Sequence, residues 1–173
     1  MKEEVNYKGF YYAAFGITGG LIALLFAFHF IIFPGPQYGY GQFEAKITYV
    51  VDGDTVVIDT GKTVRLLGID TPELHHPDRP AEHYAAEASQ ILKGMVMGKR
   101  CIFSYTDKRK YDVYGRVLAH IHCGGVHVNA EMVRLGAAYY YEKSDDNLSL
   151  ALNALEADAK KRKAGLWDDG GNQ

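Results

Sequence analysis

Residues 9–33 form a continuous segment without Asp, Glu, Lys or Arg, which limits the possible architectures more than any other feature of the chain. As an α-helix the segment would be about 37 Å long, enough to cross a hydrocarbon layer of about 30 Å with some tilt. A cleaved signal peptide has a shorter apolar run followed by a small-x-small site, whereas this run continues into Pro34 and Gly35. The sequence therefore predicts an uncleaved transmembrane helix, with a cleaved signal peptide as the alternative.

The distribution of basic residues predicts how this helix is oriented. Lys2 and Lys8 precede the segment, and the next basic residue is Lys46, well beyond it. Because cytoplasmic flanks of membrane helices are enriched in Lys and Arg, we expect residues 1–8 to be cytoplasmic. The expected protein is a single-pass cell-membrane protein whose remaining domain lies outside the cytoplasm.

The rest of the chain has the composition of one globular domain. The chain has 173 residues, of which 47% are hydrophobic and 23% are charged, and its formal net charge is −2. These values exclude a disordered chain, and the charge gives no overall attraction to nucleic acid. Residues 34–42 contain Pro, Gly and Tyr without charges and are predicted to be a linker, so that the domain occupies residues 43–173.

Hydrophobic periodicity predicts an α+β fold, an OB-type β-barrel of five strands with three helices, preceded by the transmembrane helix. Alternating, β-branched residues predict three strands between Phe43 and Ile69. The remaining elements are predicted to be a helix from Pro80 to Gly98, strands over Arg100–Tyr105 and Val113–Cys123, a helix capped by Asn129 and ending at Leu135, and a helix over Ser149–Ala164.

Three clusters of charged residues carry the candidate chemistry. Carboxylates without accompanying cysteines suit Ca²⁺ or Mg²⁺ better than Zn²⁺, and arginines offer planar donors to phosphate oxygens. Together they are the groups that phosphodiester hydrolysis needs, although an Asp-Gly pair is most often a turn and surface arginines mostly contact solvent. The candidates are Asp52, Asp54, Asp70 and Glu73, with Arg65 and Arg116.

Over residues 43–168 the sequence resembles the staphylococcal nuclease, or thermonuclease, family. The matching motifs follow one another in the family's order and with closely similar spacing. They are Val51-Asp-Gly-Asp-Thr55, Arg65-Leu-Leu-Gly-Ile-Asp-Thr-Pro-Glu73, His76-Pro77, Glu87-Ala-Ser89, Tyr114-Gly-Arg116, Val128-Asn129, Val133-Arg134-x-Gly136 and Gly165-Leu-Trp167.

This resemblance implies a Ca²⁺-dependent phosphodiesterase that cleaves DNA and RNA with low sequence specificity and leaves 3′-phosphate ends. By the same resemblance, Asp54 and Asp70 match direct Ca²⁺ ligands, and Thr71 matches a ligand through its backbone carbonyl. Asp52 matches an outer-sphere carboxylate. Glu73 matches the carboxylate that orients or deprotonates the attacking water.

The resemblance also implies the contacts with the substrate. Arg65 and Arg116 match the arginines that clamp the reacting phosphate, and Tyr114 matches a nucleotide-phosphate contact. A nucleotide-stacking tyrosine of the family falls in the Tyr139 to Tyr141 region, where Tyr139 and Tyr141 are the candidates. Either a base stacks on one of them or these tyrosines pack under the last helix.

Histidines and cysteines leave further alternatives. His75, His76 and His83 follow the carboxylate motif, and they are either solvated loop residues, which we favour, or part of a zinc site. His120 and His122 are expected on an exposed face of the barrel. The two cysteines, Cys101 and Cys123, are either disulfide-bonded or free and buried.

The first functional hypothesis is a membrane-anchored, Ca²⁺-dependent nuclease without an obligate protein partner. The second is a nuclease-like module that binds oligonucleotides or a protein without cleaving. Retention of the whole set of carboxylates and arginines favours the enzyme. The third is a Zn²⁺-dependent hydrolase built on the histidines, whose activity would survive removal of Ca²⁺.

Overall fold

The computed structural model describes residues 40–75, 78–106, 110–141 and 149–168. The predicted N-terminal flank 1–8, the transmembrane segment 9–33 and all but the last three residues of the linker lie outside these ranges. None of the helices within them has the length and the apolar character needed to cross a membrane. The predicted anchor and its orientation therefore stay predictions.

The described ranges contain eight strands, three α-helices and one 3₁₀ turn. The strands are β1 (Tyr40–Val50), β2 (Thr55–Ile58), β3 (Thr63–Leu66), β4 (Ile69–Asp70), β5 (Arg100–Thr106), β6 (Val117–Cys123), β7 (Val126–His127) and β8 (Tyr139–Tyr140). The helices are α1 (Ala85–Val96), α2 (Val128–Arg134) and α3 (Ser149–Lys161), followed by the 3₁₀ turn Gly165–Trp167.

Five of the strands close into a barrel. Antiparallel pairing joins β5 to β1, β1 to β2, and β2 to β3, and β6 pairs with both β5 and β3, the last pair being parallel. In the long strand β1, Tyr40–Lys46 pairs with β5 and Ile47–Val50 pairs with β2, with a register irregularity between Ile47 and Tyr49. The prediction of a five-stranded barrel with three helices is confirmed, and closure leaves these five strands without a free edge.

Alternation along the strands explains the core of the barrel. In β1, Ala45 and Ile47 point inward while Glu44, Lys46 and Thr48 are exposed. Each fully buried apolar side chain contributes about 1.5–3 kcal/mol relative to an exposed one. The fully buried side chains of the barrel strands include Val56, Val64, Leu66, Phe103 and Ile121.

Helix α1 begins at Ala85, five residues later than the predicted start at Pro80. The segment before it is a loop because the backbone N–H of Glu82 donates to the carbonyl of Glu73, 3.0 Å away, instead of forming a helical turn. Tyr84 then adopts a left-handed conformation with φ of 67° at the helix start. The predicted start was wrong because a proline marks a permitted first turn but does not create one.

Helix α2 begins at Val128, and its capping residue is not the predicted Asn129. His127 fills that position, where its Nδ1 accepts a hydrogen bond from the backbone N–H of Ala130 at 3.0 Å. Asn129 is fully buried, accepts from the N–H of Ile121 at 2.9 Å and donates to the carbonyl of Leu67 at 2.8 Å. Its amide thus joins β6 to the loop after β3, which the local sequence does not reveal.

Three further predictions need correction. Strand β1 begins at Tyr40 rather than Phe43, because pairing with Thr106 on β5 extends it into the predicted linker. Strand β6 begins at Val117 rather than Val113, because the preceding residues form a turn. His120 is buried rather than exposed, since its ring packs 5.2 Å from that of His127. His122 on the same strand is half-buried.

A disulfide links the two cysteines across neighbouring strands. Cys101 on β5 and Cys123 on β6 are bonded, and their Cα atoms are 4.6 Å apart. Both residues are buried in the barrel. Of the two alternatives that the sequence leaves open, the structure therefore contains the bridge.

Candidate active site

The connection between β1 and β2 carries two aspartates separated by a glycine. The backbone N–H of Asp54 donates to Oδ1 of Asp52 at 3.0 Å, which closes the turn. A Cβ atom on Gly53 would lie 2.8 Å from Oγ1 of Thr71 and 2.9 Å from Cβ of Ala88. Glycine is thus required here by the close approach of α1 and of the segment after β4, not only by the turn.

Asp54 is buried and fully engaged by donors. Its Oδ1 accepts from the hydroxyl of Thr55 at 2.9 Å, and its Oδ2 accepts from the backbone N–H and the hydroxyl of Thr71 at 3.0 and 3.1 Å. Oδ2 also forms an ion pair with Nη1 of Arg65. A buried carboxylate needs such compensation, and these donors fix both of its oxygen atoms in place.

Arg65 connects two carboxylates from different elements. It lies on β3, where Nη1 contacts Asp54, and its Nη2 lies 2.5 Å from Oδ1 of Asp70 on β4. The side chain of Arg65 is 18% exposed, and that of Asp70 is 49% exposed. One guanidinium therefore holds a buried and a half-exposed carboxylate close to each other.

Asp52 is affected by both candidate arginines. Burial raises the pKa of its carboxyl above the usual value, and hydrogen bonding with Thr55 and the charges of Arg65 and Arg116 oppose that rise. The charges of Arg65 and Arg116 therefore belong to the electrostatic environment of this carboxyl. Direct contacts thus join Asp52, Asp54, Arg65 and Asp70 in one site. Arg116 comes from a separate loop, and its charge acts on Asp52.

Arg116 is held by the turn that precedes β6. Its Nε lies 2.7 Å from Oδ2 of Asp112, whose Oδ1 accepts from the backbone N–H groups of Tyr114 and Arg116, both at 2.9 Å. Burial raises the pKa of Asp112, but the bonds from Arg116 outweigh it and lower that pKa below its usual value. Cζ of Arg116 lies 5.4 Å from the centre of the Tyr114 ring. Tyr114 itself is 81% exposed.

Glu73 follows Thr71 and Pro72 on the segment that leaves β4. Its side chain is exposed, whereas Thr71 and Pro72 are buried. Its backbone N–H donates to Oε2 of Glu82 at 3.1 Å, and its carbonyl accepts from the N–H of Glu82 at 3.0 Å. The main chain at Glu73 is thus fixed on both sides while its carboxylate faces solvent.

Tyr139 on β8 lies beside a carboxylate of the site, and Tyr141 directly follows the strand. Tyr139 is the register partner of Asp70, and its ring packs edge-on against Trp167 at 5.2 Å between ring centres. Burial raises the pKa of Tyr139, and the charges of Glu82 and Asp70 raise it further. Tyr139 and Tyr141 are 38% and 42% exposed, so both retain surface that faces solvent.

A pair of glycines positions Trp167. The backbone N–H of Leu166 donates to the carbonyl of Gly136 at 2.8 Å, which docks the 3₁₀ turn on the end of α2. A Cβ atom on Gly136 would lie 2.0 Å from the carbonyl oxygen of Ala164, and one on Gly165 would lie 2.4 Å from that of Gly136. Both positions therefore require glycine.

The carboxylates of the site have the donor chemistry that a hard metal ion needs. Among the described residues, no group of three or more His, Cys, Asp or Glu side chains has the arrangement of a metal site. The carboxylates of Asp54 and Asp70 share the single positive charge of Arg65. Hard oxygen donors with excess negative charge fit Ca²⁺, and the guanidinium of Arg65 engages one oxygen atom of each of these two carboxylates. Of the histidines proposed for zinc, His76 lies outside the described residues.

Two functional contacts were not predicted from the sequence. Asp112 is not among the predicted site residues, and the only local signal for its pairing with Arg116 is a carboxylate four residues before an arginine across a glycine turn. Glu82 was not singled out, and no local signal connects it to Glu73 because nine residues separate them.

Comparisons with known proteins agree with the sequence motifs. Residues 63–169 match the family model described as "Staphylococcal nuclease homologue". A protein called "Thermonuclease" from Staphylococcus intermedius is 30% identical over 168 residues, covering 88% of this chain and 98% of that protein. An "Uncharacterized endonuclease" from Escherichia coli is 36% identical over 130 residues, covering 73% of this chain and 78% of its own length.

An uncharacterised protein from Bacillus anthracis is also similar, with 36% identity over 135 residues, or 75% of this chain. The match covers 63% of the Bacillus protein, less than two thirds of its length.

Proposed function

This chain belongs to the family of staphylococcal nuclease homologues, and from that membership and its site geometry we propose that it is a nuclease. It hydrolyses phosphodiester bonds of DNA, RNA or both, with low sequence specificity. The observation that carries the proposal is the ion-paired cluster of Arg65 with Asp54 and Asp70, which a hydrogen bond from the N–H of Asp54 joins to Asp52. The names of the staphylococcal and Escherichia relatives, a thermonuclease and an endonuclease, agree with it.

We further propose that Ca²⁺ is the cofactor. Asp54, Asp70 and the backbone carbonyl of Thr71 would hold the ion, and Asp52 would act on it without direct contact. When bound, the ion supplies Lewis-acid stabilisation of the phosphoryl group. The support is the set of hard oxygen donors, the absence of cysteine from it, and the negative charge that remains when Asp54 and Asp70 share Arg65.

The chain's own side chains then have separate roles. Glu73 orients the attacking water and accepts its proton, since its exposed carboxylate is accessible to solvent at the site. Arg65 and Arg116 donate to the phosphate oxygens, where negative charge accumulates in the transition state. Asp112 engages Nε of Arg116, and the terminal nitrogens of a guanidinium carry further donors for phosphate. Expulsion of the 5′-oxygen leaves a 3′-phosphate end.

Exposed tyrosines provide the nucleotide contacts in this proposal. Tyr114 lies next to Arg116 and contacts the nucleotide phosphate, and Tyr139 or Tyr141 stacks on a base. Stacking tolerates any base because each base has an aromatic face, which agrees with low sequence specificity.

We also propose that the nuclease domain lies outside the cytoplasm, anchored by residues 9–33. The uncharged segment supports the anchor. The disulfide between Cys101 and Cys123 is an independent argument, because disulfides persist mainly in oxidising compartments. The substrate would then be nucleic acid at the cell surface.

The test is cleavage of single-stranded DNA, double-stranded DNA and RNA by the full chain in detergent, with Ca²⁺ and then with a calcium-selective chelator. Glu73→Gln is the catalytic control, and Glu44→Gln is a matched control because Glu44 is an exposed glutamate paired with Arg100 on the barrel surface. We expect calcium-dependent cleavage that falls at least 10²-fold in Glu73→Gln and is unchanged in Glu44→Gln, as for loss of a general base.

Two other results would lead to different conclusions. A folded chain that binds Ca²⁺ and oligonucleotides without cleaving them is a binding module, the second hypothesis. Cleavage that survives removal of Ca²⁺ but stops on removal of Zn²⁺ is the histidine-based hydrolase.

A further inference from the structure

Glu82 binds the main chain of Glu73 on both sides of its Cα atom. The carboxylate Oε2 of Glu82 accepts from the N–H of Glu73 at 3.1 Å. The N–H of Glu82 donates to the carbonyl of Glu73 at 3.0 Å. Two reciprocal hydrogen bonds thus close the loop between these residues at its base.

The carboxylate of Glu82 also interacts with a residue inside the loop and with one on strand β8. Nη2 of Arg79, within the loop, lies 3.5 Å from Oε1 of Glu82. The charge of Glu82 contributes to the raised pKa of Tyr139, the residue paired with Asp70. Glu82 therefore contacts the loop that carries Glu73, and its charge acts on Tyr139 of the strand that borders the carboxylate site.

We propose that Glu82 is a positioning residue for Glu73, an inference that rests on the proposed nuclease function. The two hydrogen bonds hold the peptide units before and after Glu73, so only its side-chain torsions remain variable. A general base must lie within hydrogen-bond reach of the proton that it accepts, and a displacement of about 1 Å can reduce the rate about 10²-fold. In this role Glu82 contacts neither the attacking water nor the phosphate of the substrate.

Comparison of Glu82→Ala with Glu82→Gln in the full chain separates the effect of the Glu82 charge from that of its hydrogen bond to the N–H of Glu73. Glutamine retains an acceptor oxygen for the N–H of Glu73 but has no charge, whereas alanine removes both. We expect kcat to fall about tenfold or more in Glu82→Ala, with KM and Ca²⁺ affinity within about twofold of wild type. Glu82→Gln should retain most of the wild-type kcat. Glu44→Ala is the matched surface control.

A second readout does not depend on activity. Hydrogen exchange at the N–H of Glu73, measured by mass spectrometry on peptides that span it, reports whether the loop is closed. We expect exchange at least tenfold faster in Glu82→Ala than in wild type, and near-wild-type exchange in Glu82→Gln, with neither metal nor substrate present.

The two readouts distinguish failure of this inference from failure of the proposed function. Unchanged exchange in Glu82→Ala overturns the inference whatever the activity is. Equal losses of kcat in Glu82→Ala and Glu82→Gln also overturn it, because the charge would then matter rather than the hydrogen bond. A wild-type chain without nuclease activity refutes the proposed function and with it the positioning role, even if exchange responds as expected.

Discussion

Arg65 and Arg116 are both proposed to bind the reacting phosphate, but they are held by different kinds of partner. Arg65 pairs with Asp54 and Asp70, which lie on a connecting turn and on a separate strand. Arg116 pairs with Asp112, four residues earlier in the same turn. The side chain of Arg65 is 18% exposed, against 31% for Arg116.

This difference shows that one residue type can be oriented in two ways. The partners of Arg65 are the carboxylates proposed to hold Ca²⁺, so the ion would compete with the guanidinium for these carboxylates. Asp112 has no other proposed role, so Arg116 is oriented by its own turn with or without the ion.

The largest expected effect is on turnover. Arg116→Ala should lower kcat about 10²-fold because it removes a donor to the transition-state phosphate, while the far-ultraviolet circular dichroism stays that of the wild type. Arg65→Ala should give a loss at least as large. Steady-state cleavage of a defined oligonucleotide measures both. A near-normal kcat in Arg116→Ala would remove this arginine from the site.

The second effect is on stability, and we expect it to be larger for the Arg65 variant than for the Arg116 variant. Without Ca²⁺, Arg65→Ala should lower the free energy of unfolding by about 2 kcal/mol, because the buried carboxylate of Asp54 loses a charged donor. Arg116→Ala should cost less than about 1 kcal/mol, since its ion pair is more exposed. Urea denaturation measures both values. Equal losses of unfolding free energy in the two variants would show that Arg65 and Arg116 are not held differently.

The third effect is on Ca²⁺ affinity without substrate. Arg65→Gln should lower the Kd for Ca²⁺ about fivefold, because Asp54 and Asp70 no longer have to release a competing guanidinium. Arg116→Gln is the matched control, since it also removes one positive charge but leaves Asp54 and Asp70 paired with Arg65. Isothermal titration calorimetry gives both constants. The competition is refuted if the two variants change affinity equally.

The smallest effect is on acid stability and concerns Asp112. Its pKa is lower in the folded chain than the usual value of 3.8. The Asp112–Arg116 pair therefore contributes its full stability above pH 3.8 and loses it as the pH falls toward the lower folded pKa. We expect Asp112→Asn to remove less than about 1 kcal/mol of this acid-sensitive stability. Urea denaturation at several pH values between about 2 and 6 tests it.

Local patterns predicted most of the fold. Strand alternation and helical spacing predicted the five barrel strands and the three helices because a half-buried element repeats its apolar side chains with its own period. The start of α1 was wrong because hydrogen bonds between Glu73 and Glu82 keep the intervening segment out of the helix. The predicted capping role of Asn129 was wrong because its buried amide joins two distant segments instead. The local sequence of such an amide does not differ from that of a helix cap.

The candidate site was predictable as a set of residues but not as an arrangement. The motifs named the carboxylates and arginines, and their roles in binding and catalysis stay predictions. Nothing in the local sequence indicates that Arg65 bridges Asp54 and Asp70, or that Glu82 holds the main chain of Glu73. Such contacts join residues on different elements, and they depend on how those elements pack.

The sequence by itself thus determined the barrel class, the family motifs and the identity of the charged residues, because each is encoded in short-range spacing. Only the tertiary structure decided that Gly53 must be glycine, that His120 is buried and that Arg65 bridges Asp54 and Asp70. The physical reason is that burial and the electrostatic environment of a side chain are set by segments distant in the chain, and strand register and helix packing fix which segments meet.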